Sequence, residues 1–195
     1  MNLANWISIF RILLVPVFIG TIVYYGPDRE YLRAVSLMIF LLAVVSDGVD
    51  GFIARTRSQK TRLGSFLDPM ADKLLLSSSF ITLALAHNLP FDIRLPLWIP
   101  ILVISRDVIL ALGSFLIFII TQDLKIVPSF LGKLTTFFQM STIIAVLLQY
   151  KFSYGVWNVA AFFTVVSGFD YLVRGTRVLG AYNAHNHYNG TERKK

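Results

Sequence analysis

Residues 6–25 are almost wholly apolar, and comparable blocks return at 32–54, 65–88, 95–121, 128–150 and 154–174. A helix needs roughly 20 such residues to cross the hydrocarbon of a bilayer, where water cannot satisfy the backbone. The blocks therefore predict an all-α, polytopic membrane protein with about six transmembrane helices. Gly26-Pro27-Asp28, Asn88-Leu89-Pro90 and Gln122-Asp123 supply breaks between them. The composition agrees: 55% of the 195 residues are hydrophobic and only 15% charged, where a soluble domain carries about 25%. Residues 1–180 are expected to form the transmembrane domain and 181–195 a polar, flexible cytoplasmic tail. The first block has no basic segment before it and holds Arg11 inside it, so it reads as a retained helix rather than a signal peptide.

An even number of spans puts both ends of the domain on one side. That side carries Arg55, Arg57, Lys60, Arg62, Lys125, Lys133, Arg177, Arg193, Lys194 and Lys195. The other carries Arg29, Arg33, Arg94 and Lys151 among Asp28, Glu30 and Asp92. The positive-inside rule makes the first side cytoplasmic. The same rule accounts for the net charge of +7, and nucleic-acid binding, which would need recognition motifs and stacking platforms, is excluded. There are no cysteines, which removes disulfides, thiolate metal sites and a cysteine nucleophile. His185 and His187 fall in the polar tail and are read as unligated.

Asp47, Asp50, Asp68 and Asp72 stand at the cytoplasmic edge of two apolar blocks. Carboxylates at membrane depth are costly, and short side chains cannot snorkel out to water as lysine and arginine do. Asp47 and Asp50 are three residues apart, and Asp68 and Asp72 four apart. Either spacing puts a pair on one helical face. Two pairs on adjacent helices can converge, and their mutual repulsion calls for hard cations: Mg²⁺ or Mn²⁺, which favour carboxylate oxygen. Two such ions, about 3.5–4 Å apart, suit substitution at phosphorus. Gly48, Gly51, Ala54 and Gly64 leave room for a bulky ligand near the backbone. Arg55 offers a fork for phosphate. An ion-coupled transporter is the alternative of another class, disfavoured by the small size and the lack of internal repeats.

The run Asp47-Gly-Val-Asp50-Gly51-Phe-Ile-Ala54-Arg55, followed by Gly64, Asp68 and Asp72, fills every fixed position of D-x2-D-G-x2-A-R-x8-G-x3-D-x3-D. This resembles the signature of the CDP-alcohol phosphotransferases, and the likeness extends over most of the chain. It implies that Asp47, Asp50, Asp68 and Asp72 hold two metal ions, with Asp72 also acting as base. It implies that Gly51, Ala54, Arg55 and Gly64 bind the nucleotide. The acceptor hydroxyl would attack the β-phosphorus of CDP-diacylglycerol and CMP would leave. The family also implies a homodimer in a bacterial inner membrane, with the active site facing the cytoplasm.

Asn2-Leu-Ala-Asn5 before Arg11, the segment from Leu67 to Lys73, and Gly132-Lys133-Leu-Thr-Thr136 with Gln139 resemble the phosphatidylglycerophosphate synthases, whose acceptor is glycerol 3-phosphate. Ala4 replaces a frequent proline, and Leu134-Thr135 supplies no second lysine. Ile104-Ser-Arg106-Asp107-Val resembles cardiolipin synthases, whose acceptor is phosphatidylglycerol. Arg106, Lys133, Arg174 and Arg177 are expected to form a cationic pocket for an acceptor phosphate. Adjacent helical residues diverge, so Arg106 is not expected to pair with Asp107, whereas Asp170 can pair with Arg174 four residues on.

Overall fold

The computed structural model describes residues 3–57, 62–85, 92–121 and 129–192, with side chains described over 6–48, 69–85, 92–120 and 129–178. The expected helices form: α1 (Leu3–Val23), α2 (Tyr31–Arg57), α3 (Arg62–Leu85), α4 (Trp98–Thr121), α5 (Phe130–Leu147) and α6 (Ser153–Glu192). A 3-10 turn over Pro27–Arg29 joins α1 to α2. There is no strand among the described residues.

Five of the helices hold a window apolar enough to cross a membrane: Trp6–Val23, Tyr31–Gly48, Trp98–Ile120, Phe130–Leu147 and Ser153–Val178. The sixth, α3, has the length, 24 residues, but its sequence carries Arg62, Asp68, Asp72 and Lys73. The chain is an integral membrane protein, and this helix bears half of the aspartate signature. Large side chains such as Phe10, Leu13, Ile101, Leu112, Phe115 and Phe162 lie exposed around the outside. That is the surface a hydrocarbon solvent requires.

α6 departs from expectation at its end. It continues in helical backbone to Glu192, across the boundary at residue 180 and through the tail expected to be loose. No proline occurs after Pro128, so no residue there withholds an N–H from the helical ladder. At 40 residues the helix is about 60 Å long, twice the roughly 30 Å of hydrocarbon.

α1 packs on α2 and α3, while α4 and α5 pack on α6. The shared core includes Phe18, Ile22, Phe40, Leu75, Leu76, Phe80, Ile99, Val103, Ile143, Val146 and Trp157. Phe18 and Phe40 meet at 6.1 Å, and Phe138 stacks on Phe163 at 4.9 Å. Membrane helices have little hydrophobic drive between them, so small and polar side chains add the specificity. Ser36 on α2 donates to Thr21 on α1 at 2.8 Å, and Thr135 on α5 donates to the Phe163 carbonyl at 2.9 Å. Gln139 on α5 donates to Thr164 on α6 at 3.2 Å.

Two termini show why the connections are tight. Ser129 caps α5, its hydroxyl accepting from the Gly132 N–H at 3.0 Å. Between α5 and α6, Gln149 takes a left-handed conformation with φ 52°. Its side-chain amide accepts from Ile93 N–H at 2.9 Å and donates to the Ile93 carbonyl at 3.2 Å and the Val146 carbonyl at 2.8 Å.

Candidate active site

A belt of charge crosses the bundle at the level of the signature aspartates. On α1, Arg11 is fully buried, and its Nη1 lies 2.6 Å from Oδ1 of Asp47 on α2. The contact is an ion pair by distance, with no Arg11 N–H aligned on an acceptor. The Asp47 side chain remains 42% exposed. On α3, half-buried Asp72 has Asp47, Lys73, Arg11 and Asp107 as its charged neighbours. The two ends of the signature, one on α2 and one on α3, are thereby brought to one place. Asp72 stands thirteen residues before the end of α3 at Leu85, a distance of about 20 Å along the helix.

The belt continues across α4. Lys73 Nζ lies 2.6 Å from Oδ2 of Asp107, and Arg106 Nη1 lies 2.8 Å from Oδ1 of the same carboxylate. Arg106 Nη2 donates to the Ser167 hydroxyl on α6 at 2.5 Å. This corrects the expectation that neighbours on a helix diverge. Their Cβ atoms do, but the long arginine side chain curls back far enough to reach Asp107. Two glycines border the side chain at ordinary contact distance. A Cβ at Gly132 would lie 3.6 Å from Arg106 Nη2, and one at Gly168 3.7 Å from Arg106 Cγ.

Of the four cations expected to hold an acceptor phosphate, the most enclosed is Arg106. That residue is only 8% exposed, turned to Asp107 and Ser167. The cleft it lines between α4 and α6, with Leu102, Ile109, Val165 and Leu172, contains none of the other three cations. Lys133 and Arg177 are exposed, and Arg174 pairs with Asp170 at 3.0 Å as the spacing predicted. The side chains of Asp50, Gly51, Ala54, Arg55, Gly64 and Asp68 lie outside the described residues, although the backbone at all six positions is helical.

Arg11, Lys73 and Asp107 entered the sequence reading only as members of motifs, with no role in the site assigned to them. Arg11 had a legible signal, since an ionisable residue inside an apolar span implies a partner. Nothing in the sequence named Asp47 as that partner.

As a metal site, the donor set is carboxylate alone, which fits a hard divalent cation. Among the described side chains no group of three potential ligands gathers. Of the four aspartates, only Asp47 and Asp72 fall within them.

The family model of the CDP-alcohol phosphatidyltransferases matches residues 1–167. A probable phosphatidylglycerophosphate synthase of Mycobacterium tuberculosis is 33% identical over 188 residues, covering 92% of this chain and 84% of the relative. The CDP-diacylglycerol–glycerol-3-phosphate 3-phosphatidyltransferase of Bacillus subtilis is 32% identical over 199 residues, covering 93% and 99%. The enzyme of that name from Haemophilus influenzae is 34% identical over 150 residues, covering 77% of each chain. With every fixed position of the aspartate signature filled and the family model matching residues 1–167, the chain belongs to the CDP-alcohol phosphatidyltransferase family.

Proposed function

We propose that this protein transfers the phosphatidyl group of CDP-diacylglycerol to glycerol 3-phosphate, giving phosphatidylglycerophosphate and CMP. The observation that carries the reading is the placement of Asp47 and Asp72 as charged neighbours beside buried Arg11. The choice of acceptor is supported by the relatives named for that reaction.

In this reading Asp72 accepts the proton of the acceptor hydroxyl. The hydroxyl oxygen forms a bond to the β-phosphorus of the donor, and the bond from that phosphorus to the CMP oxygen breaks. CMP departs with the electron pair. Asp47, Asp50, Asp68 and Asp72 would hold Mg²⁺ or Mn²⁺, two ions in all. Bound there, the cations supply neutralisation of the diphosphate and of the leaving phosphate. Arg11 holds one oxygen of Asp47. Gly51, Ala54, Arg55 and Gly64 would contact the nucleotide. Lys133 and Arg177, exposed and uncommitted to the belt, are the cations available to an acceptor phosphate. The enzyme would act as a homodimer in a bacterial inner membrane, its active site facing the cytoplasm, as the basic loops indicate.

The test is CMP release by the purified protein with CDP-diacylglycerol and Mg²⁺, with lipid products identified by mass spectrometry. Phosphatidylglycerophosphate formed from glycerol 3-phosphate is the expected product. Product with phosphatidylglycerol alone would make the enzyme a cardiolipin synthase, and no CMP release with either acceptor would overturn the reading.

A further inference from the structure

The seam between α3 and α4 is poorly filled. One cavity of about 370 Å³ is lined by Lys73 and Ser77 from α3 and by Ile104, Asp107, Ala111 and Ser114 from α4. A second, of about 430 Å³, continues along the same two helices between Ala84 and Pro100, with Ile104 common to both. The apolar packing of α3 lies instead on α1: Ala71, Leu75, Leu76 and Ser79 are fully buried. Against that hollow seam the Lys73–Asp107 pair is a short, direct link, at 2.6 Å.

The α4 end of that link is fixed. Asp107 also holds Arg106 at 2.8 Å, and Arg106 is bonded to Ser167 on α6. Seven residues further along α4, Ser114 bonds Tyr171 on α6 at 2.8 Å. Gly113 lets the tyrosine ring in: a Cβ there would stand 2.8 Å from Tyr171 Cε1. Asp107 is thus anchored on a rigid pair of helices and reaches across a gap to the residue next to Asp72.

Successive residues on a helix differ by about 100° in direction. Holding Lys73 against α4 therefore turns Asp72 away from the seam, toward Asp47 and Arg11. We propose that Asp107 is a positioning residue: through Lys73 it sets the rotation of α3 and hence the direction of the Asp72 carboxylate. The inference rests on the reading of Asp72 as the base.

The experiment compares Asp107→Asn, Asp107→Glu, Lys73→Met and the double variant Lys73→Met/Asp107→Asn, each as the purified full chain. Small misplacements of a reacting group cost large factors in rate, so Asp107→Asn and Lys73→Met are each expected to lower kcat about tenfold or more. KM for CDP-diacylglycerol should stay within about twofold, since a shift of base direction leaves ground-state binding alone. Asp107→Glu should restore most of kcat. The double variant should be no slower than the slower single variant, because both act through one contact. If Asp107→Asn does not fold, Lys73→Met carries the test, as Asp107 then keeps its bonded partner Arg106. Melting temperatures that fall while kcat of the folded fraction stays at wild type would mean the pair is only a structural tie and overturn the inference. Losses that multiply in the double variant would also overturn it. A wild-type protein that releases no CMP would instead defeat the functional reading itself.

Discussion

Replacing Arg11 with methionine separates what this residue does for the fold from what it does for the reaction. The side chain is 1% exposed, and Nε, Nη1 and Nη2 are all buried without an aligned hydrogen-bond acceptor. A buried cation so poorly satisfied carries a desolvation cost that its ion pair need not offset, and an apolar replacement of similar volume is often neutral or stabilising by about 1–4 kcal/mol. The opposing loss is the pair with Asp47, whose side chain is 42% exposed. Water screens such a partner, which limits that loss to about 1 kcal/mol. The balance predicts that Arg11→Met unfolds at the wild-type temperature or above it. Catalysis should move the other way. Released from Arg11, Asp47 is free to rotate, and CMP release should fall about tenfold or more, the scale expected when a group at the reacting centre loses its orientation. The assay is thermal unfolding of the purified protein in detergent beside steady-state CMP release from the same preparation. A variant that melts well below wild type, with kcat of the folded fraction unchanged, would refute the reasoning and make Arg11 a stability residue.

Four further outcomes are expected. Asp72→Asn keeps the shape but cannot take a proton, so turnover should be lost while nucleotide binding, read by calorimetry with CMP, persists. A chelator should abolish activity and added Mg²⁺ or Mn²⁺ restore it, and full activity in excess chelator would remove the metal from the mechanism. Gly113→Ala would put a methyl group 2.8 Å from Tyr171 Cε1. Overpacking costs about 1–3 kcal/mol and a broken Ser114–Tyr171 hydrogen bond about 1 kcal/mol more, a loss that denaturation in mixed detergent would register. Lys133→Ala should raise KM for glycerol 3-phosphate more than KM for CDP-diacylglycerol, and the reverse pattern would move Lys133 to the donor side.

The helices were legible because solvent dictates them: in hydrocarbon an apolar block of span length has no other way to satisfy its backbone. That Asp47 and Asp72 call for an explanation was legible for a similar reason, since nothing apolar accounts for a carboxylate there. Apart from Asp170–Arg174, which the spacing of four residues announces, the pairings were not legible. Whether Arg106 reaches Asp107 or a substrate depends on the path of a flexible side chain between Gly132 and Gly168, which spacing along one helix does not encode. The partnership of Arg11 with Asp47 depends on how α1 and α2 are rotated against each other. That rotation is set by contacts such as Phe18 on Phe40 and Ser36 on Thr21. The helical backbone of α6 beyond residue 180 was not read from the sequence, because its polar composition offers no apolar period to follow.

Gln149 links two stretches of chain more than fifty residues apart. By gripping both the N–H and the carbonyl of Ile93, its amide imitates the rung of a ladder and staples the approach to α4 onto the α5–α6 turn. Arg106–Ser167 and Ser114–Tyr171 fasten the same assembly further along. α4, α5 and α6 therefore behave as a welded frame, closed at its outer end and braced at mid-height. The other three helices, of which α2 and α3 carry the aspartates, meet that frame through the shared apolar core and, at the seam between α3 and α4, through the Lys73–Asp107 pair.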